Sequence, residues 1–134
     1  MKFFRLTCLL AVISATLVPL KAQNQPTTPE QREKQMMEFV DKEVKRLSGL
    51  LDLEYWQEFY VDSTLTHDYH AMSEELQKMK VAKVENSDLY IGVQDKWMEQ
   101  IDATYKRIFT EDQWKKYWTT GGQRAQKARD KRKK

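Results

Sequence analysis

His67, His70 and Glu74 are the residues whose types and spacing come closest to chemistry. The histidines lie three apart and the glutamate four beyond the second, so a helix would bring all three to one face. There they could ligate a transition metal. A structural metal site usually needs four ligands, and a solvated polar face explains the same residues. The three stand as candidates, and no metal is assigned. Acids are spread along the chain with no pair set apart, no glycine-rich phosphate loop occurs, and no nucleophile has a partner of the right type. The sequence therefore assigns no catalytic residue and no cofactor, and it reads as a non-enzyme.

Whatever the function is, helices must position it. Before them stands a leader. Lys2 and Arg5 precede an apolar run from Leu6 to Val18, Pro19 breaks it, and Ala22 is a small residue suited to cleavage. Residues 1–22 read as a secretory signal peptide, which would carry off Cys8, the one cysteine in the chain. The mature chain can then form no disulfide and is sized for one small domain. Without Lys2, Arg5 and Lys21 the chain is neutral, but unevenly so. Arg124 to Lys134 holds seven basic residues and one acid, and the body before it is acidic by the same margin.

Residues 23–122 read as a helical domain. Thr28-Pro29-Glu30-Gln31 predicts a capping box with proline at the first helical position. Met37, Val40, Val44, Leu47 and Leu51 then recur at steps of three and four, one apolar stripe. Ser48-Gly49 predicts the end of this helix, with Gly49 left-handed. Asp52 is the expected cap of a second helix, with Leu51 and Trp56 as its hydrophobic staple. That helix presents Leu53, Trp56, Tyr60, Leu65, Tyr69, Met72, Leu76 and Met79, and residues 62–66 are its weakest stretch, where a kink or break is expected. After Asn86-Ser87-Asp88 a third helix presents Tyr90, Val93 (or Gln94), Trp97, Ile101, Tyr105 and Ile108. Phe109-Thr110-Glu111-Asp112-Gln113-Trp114 then predicts a short fourth helix, with Thr110 and Gln113 closing a box and Phe109 and Trp114 a staple. Gly121-Gly122 is its expected end. Residues 123–134 are too charged to fold alone and read as a flexible basic tail. No stretch alternates like a strand, so the class is all-α: three long helices plus a short fourth.

The two helix starts echo each other. Leu51-Asp52 through Tyr60 and Phe109-Thr110 through Trp118 both run apolar, cap, three residues, Trp, two polar residues, two aromatics. Convergence of two stapled starts explains this better than duplication does. Phe109-Thr110-Glu111-Asp112-Gln113 also resembles the LTxxQ motif of a family of small periplasmic helical proteins of the Spy and CpxP type. Phe109 stands where that motif has Leu. A first copy can be read at Leu53-Glu54-Tyr55-Trp56-Gln57, which keeps Leu53 and Gln57 but has Glu54 in place of Thr. The resemblance implies a periplasmic protein built as a curved helical hairpin. It also implies a homodimeric cradle that holds unfolded clients or senses envelope stress.

Two features bear on partners. Tyr55, Trp56, Phe59, Tyr60, Trp97, Tyr105, Trp114, Tyr117 and Trp118 can fill a core and a dimer interface, or some can face outward. Tyr55, Phe59 and Tyr117 lie off the apolar stripes and are the candidate client-binding residues. The Arg124–Lys134 tail can solubilise the chain, dock on its own acidic body, or make weak contact with an anionic membrane. No aromatic interleaves it, and no nucleic-acid partner is expected. The reading is thus an exported chaperone-like or envelope-stress binding protein. The alternative is a structural or adaptor protein that binds one envelope partner through exposed aromatics.

Overall fold

The computed structural model describes residues 27–134, so the expected signal peptide lies outside the described residues. The chain is all-α, with no strand among the described residues. Three long helices, α1 (Pro29–Leu51), α2 (Tyr55–Val81) and α3 (Ser87–Ile108), run up, down and up. The short α4 (Glu111–Tyr117) passes through a π-helical segment, Trp118–Gly122, into α5 (Gln123–Arg132).

Local chemistry starts α1 as the sequence predicts. Thr28 and Gln31 exchange the two bonds of a capping box, with Pro29 at the first helical position. The helix does not stop at Gly49. It continues to Leu51, and Asp52 takes the left-handed conformation (φ 52°) while its N–H donates to the Ser48 carbonyl. The extension places Leu51 in the core beside Leu47. Burying a leucine is worth about 1.5–3 kcal/mol, more than the strain of a single left-handed Asp.

Asp52 therefore closes α1 and does not cap α2; the cap position belongs to Glu54. This shift turns α2 away from the expected stripe. Its buried residues are Gln57, Val61, Leu65 and Asp68, while Trp56 and Tyr60 are exposed. Trp56 is thus no staple residue. The expected weak stretch at 62–66 is unbroken helix, because Val61 just before it and Leu65 within it are fully buried and packing outweighs propensity.

The core gathers at one end of the bundle. Val40, Leu47 and Leu51 from α1 meet Val61 and Leu65 from α2, and Ile101, Tyr105 and Phe109 from α3 and its cap complete the cluster. Trp114 and Tyr117 pack against it from α4. Tyr105 stacks on Phe109 at 5.0 Å between ring centroids, and Tyr117 meets Tyr105 edge-on at 5.4 Å.

The tail is a second correction. Residues 123–132 are helical, and the chain does not end its helix at Gly121-Gly122. Gly122 is buried where an added Cβ would lie 3.1 Å from both the Trp118 and Tyr117 rings, so a side chain there would make both rings give by a few tenths of an ångström. Asp95, Glu99 and Asp102 line one face of α3 and receive α5: Arg132 pairs with Asp95 at 2.6 Å, Lys133 with Glu99 at 2.5 Å, and Arg129 with Asp102. Arg129 is buried. A segment too charged to fold alone folds here against its own acidic body.

Candidate functional site

Two glutamines join the chain's two helix starts. Gln57 Oε1 accepts the Glu54 N–H at 2.9 Å, and Gln113 Oε1 accepts the Thr110 N–H at 3.0 Å. Each amide then donates onward. Gln57 Nε2 bonds Gln113 Oε1 at 2.7 Å and the Ile108 carbonyl at 3.1 Å. Gln113 Nε2 bonds Gln57 Oε1 at 3.1 Å and the Leu51 carbonyl at 3.3 Å. Each glutamine thus helps start its own helix and caps the carbonyl end of the helix before the other motif. The exchange has an approximate two-fold symmetry. Gln57 is buried with all its hydrogen-bonding capacity used, which is what makes an amide tolerable in the core.

The two starts are not equivalent. Thr110 Oγ1 accepts the Gln113 N–H at 3.3 Å, completing its box. Glu54 spends a carboxylate oxygen on the Trp56 indole N–H at 2.5 Å. The echo is real in geometry but lies two residues from its expected register: Glu54 and Gln57 match Thr110 and Gln113, and Leu53 matches Phe109. The literal Leu53…Gln57 motif carried this signal, and the preference for Asp52 as a cap obscured it.

This arrangement fixes the direction of α2. With Gln57, Val61 and Leu65 inside, Tyr55, Trp56, Phe59 and Tyr60 share the roughly opposite face, since residues one and four apart lie on one side of a helix at about 100° per residue. Tyr55 is 86% exposed and Phe59 61%. The Trp56 and Phe59 rings meet Tyr60 edge-on at 6.2 and 5.8 Å, so the patch is partly preassembled.

Tyr117, the third candidate client-binding residue, does not belong to this patch. It packs on the core, and its hydroxyl donates to Asp102 at 2.6 Å. Burial pushes its pKa above the usual tyrosine value, and the Asp102 hydrogen bond raises it further. The expectation that Tyr117 faces outward failed because its side chain packs toward Asp102 of α3, where α5 also brings Arg129.

The structure also separates the histidines. His67 Nδ1 lies 2.8 Å from Asp68 Oδ1, beside Gln100 and Thr104 in a shallow recess. His70 faces Glu74 at 3.7 Å in a groove of about 690 Å³ between the far ends of α1 and α2, walled by Arg32, Met36 and Val81. Among the described residues no three His, Cys, Asp or Glu side chains gather as metal ligands would. In the loose half of the bundle Glu75 accepts from Lys96 at 2.8 Å and from the Trp97 indole at 2.8 Å, and those bonds hold its pKa below the usual glutamate value. The same bonds tie α2 to α3. No helix among the described residues is long and apolar enough to cross a membrane. Set against family models, curated proteins and solved structures, the chain matches none.

Proposed function

We propose that this is an exported, chaperone-like binding protein that holds unfolded clients on the aromatic face of α2. The observation that carries the reading is the cluster of Tyr55, Trp56, Phe59 and Tyr60, four exposed aromatics on two helical turns. Soluble proteins rarely leave contiguous large apolar surface uncovered without a use for it. Flexible recognition of varied sequences favours adaptable apolar contacts over one shaped pocket. The LTxxQ resemblance at Leu53–Gln57 and Phe109–Gln113 points the same way. The homodimeric cradle and the periplasmic location that it implies belong to the same proposal.

The test replaces Tyr55 and Phe59 by Ser together. Suppression of aggregation of several unrelated, chemically unfolded proteins should be lost while helicity and melting temperature hold. Surface changes of this kind alter stability by about 0.5 kcal/mol or less. If the unaltered protein suppresses no aggregation but binds one envelope protein stoichiometrically through the same face, the adaptor reading replaces this one.

A further inference from the structure

The basic helix α5 is two-faced, and only one face is used inside the molecule. Arg129, Arg132 and Lys133 reach the acids of α3. Arg124, Lys127 and Lys131 are exposed and take part in no ion pair among the described residues, and Lys134 continues their three-four-three spacing just past the helix end. At about 100° per residue Arg124, Lys127 and Lys131 fall within about 60° of one another, roughly opposite the docked cations. The docking therefore aims the remaining charge outward. From Arg124 to Lys134 the stripe runs for about 15 Å. The single acid of the segment, Asp130, accepts from the Gln126 amide at 2.8 Å and lies beside the stripe.

We infer that this outward stripe is a docking surface for an anionic lipid bilayer, read through phosphate headgroups. Shape and chemistry favour a bilayer over other polyanions. The cations lie along one straight line on a rigid helix, which suits a plane of charge. No aromatic side chain lies on α5, so nothing there can stack on exposed bases. No large apolar side chain accompanies the charges, so contact is electrostatic, stays at the headgroup level and weakens with salt. Because the opposite face of α5 is pinned by the buried Arg129–Asp102 pair, the stripe cannot roll away to neutralise itself on the acidic body.

The test uses the chain from Gln23 onward, which carries the whole described fold without the apolar leader. Its partition onto phosphatidylglycerol-containing vesicles is compared with that onto pure phosphatidylcholine vesicles at low ionic strength. Binding should be confined to the anionic vesicles and fall as salt is raised. Lys127→Glu with Lys131→Glu should reduce it about tenfold or more, with unchanged helicity. Lys34→Glu with Lys42→Glu, exposed lysines on α1, makes the same change in net charge and should leave binding nearly intact. Equal loss in the two variants would reduce the effect to net charge and overturn the proposal. So would failure to bind anionic vesicles, or equally strong binding to single-stranded RNA.

Discussion

The two ends of the helical bundle are built differently. At one end, the last turns of α1 and α3 meet the first turns of α2 and α4 around the Gln57–Gln113 exchange, and every buried apolar residue lies there or just beyond it. At the other end no residue from 27 to 39 or from 69 to 100 is buried. That half is held by side-chain bridges: Lys96 and Trp97 to Glu75, Tyr90 hydroxyl to the Val84 carbonyl at 2.9 Å, and Phe39 on Tyr69 at 5.0 Å. The grooves between α1 and α2 open there. The difference teaches where order comes from. A short chain has apolar surface enough for one close-packed cluster, and it spends that surface where four helix ends also need their backbone groups satisfied.

The largest expected contrast is between leucines on the same helix. Leu65→Ala at the closed end should cost about 2–5 kcal/mol through the lost contacts and the cavity left behind. Leu76→Ala at the open end, where the side chain is only partly covered, should cost about 1 kcal/mol. Chemical denaturation of both variants measures the contrast, and equal costs would erase the distinction between the ends.

Within the closed end, the two helix starts should differ. Thr110→Ala removes a complete cap and should cost about 0.5–2 kcal/mol, and Thr110→Asp should be near neutral because Asp also caps. Glu54→Ala should cost less than Thr110→Ala, since the Glu54 carboxylate is shared with the exposed Trp56 indole N–H. A larger loss at Glu54, read from the same denaturation curves, would reverse the ranking of the two starts.

The smallest effect concerns pH. Tyr105 and Tyr117 are pushed above the usual tyrosine value by burial, and Tyr69 likewise to about 12. A pKa raised on folding lends stability that is whole below the unfolded value near 10 and is lost as pH rises beyond it. Three of the six tyrosines should therefore ionise late, together with loss of helicity. The Tyr105 hydroxyl is buried without a hydrogen-bond partner among the described residues, so Tyr105→Phe should leave stability unchanged or raise it and delay the alkaline loss. Phenolate absorbance followed beside circular dichroism checks this.

The all-α class, the Thr28 and Thr110 boxes and the face of α3 were legible in the sequence because each rests on local pattern. The register of α2 was not. Asp52 and Glu54 are both plausible caps locally, and what chooses between them is the partner Gln57 finds 56 residues away in Gln113. No window around either residue contains that information. Docking of the tail on the acidic body was among the readings, but its helical form and its partners were hidden for the same reason: the acids at 95, 99 and 102 and the cations at 129, 132 and 133 form a surface only after α4 and the π-helical segment turn the chain back. Tyr117 was misplaced with it. Tyr55 and Phe59, whose environment depends only on which way α2 faces, came out exposed as expected.

The Gln57–Gln113 exchange holds the closed end together and so aims the aromatic face outward. A double-mutant cycle tests this most directly, with Gln57→Ala, Gln113→Ala and the pair measured by chemical denaturation. Each single change should be destabilising by about 1–3 kcal/mol, because it strands the other amide in a part-buried site. The double variant should fall short of the sum by about 1 kcal/mol or more. Additivity within about 0.3–0.5 kcal/mol would mean that the two glutamines cap their own helices independently, and would contradict a shared exchange.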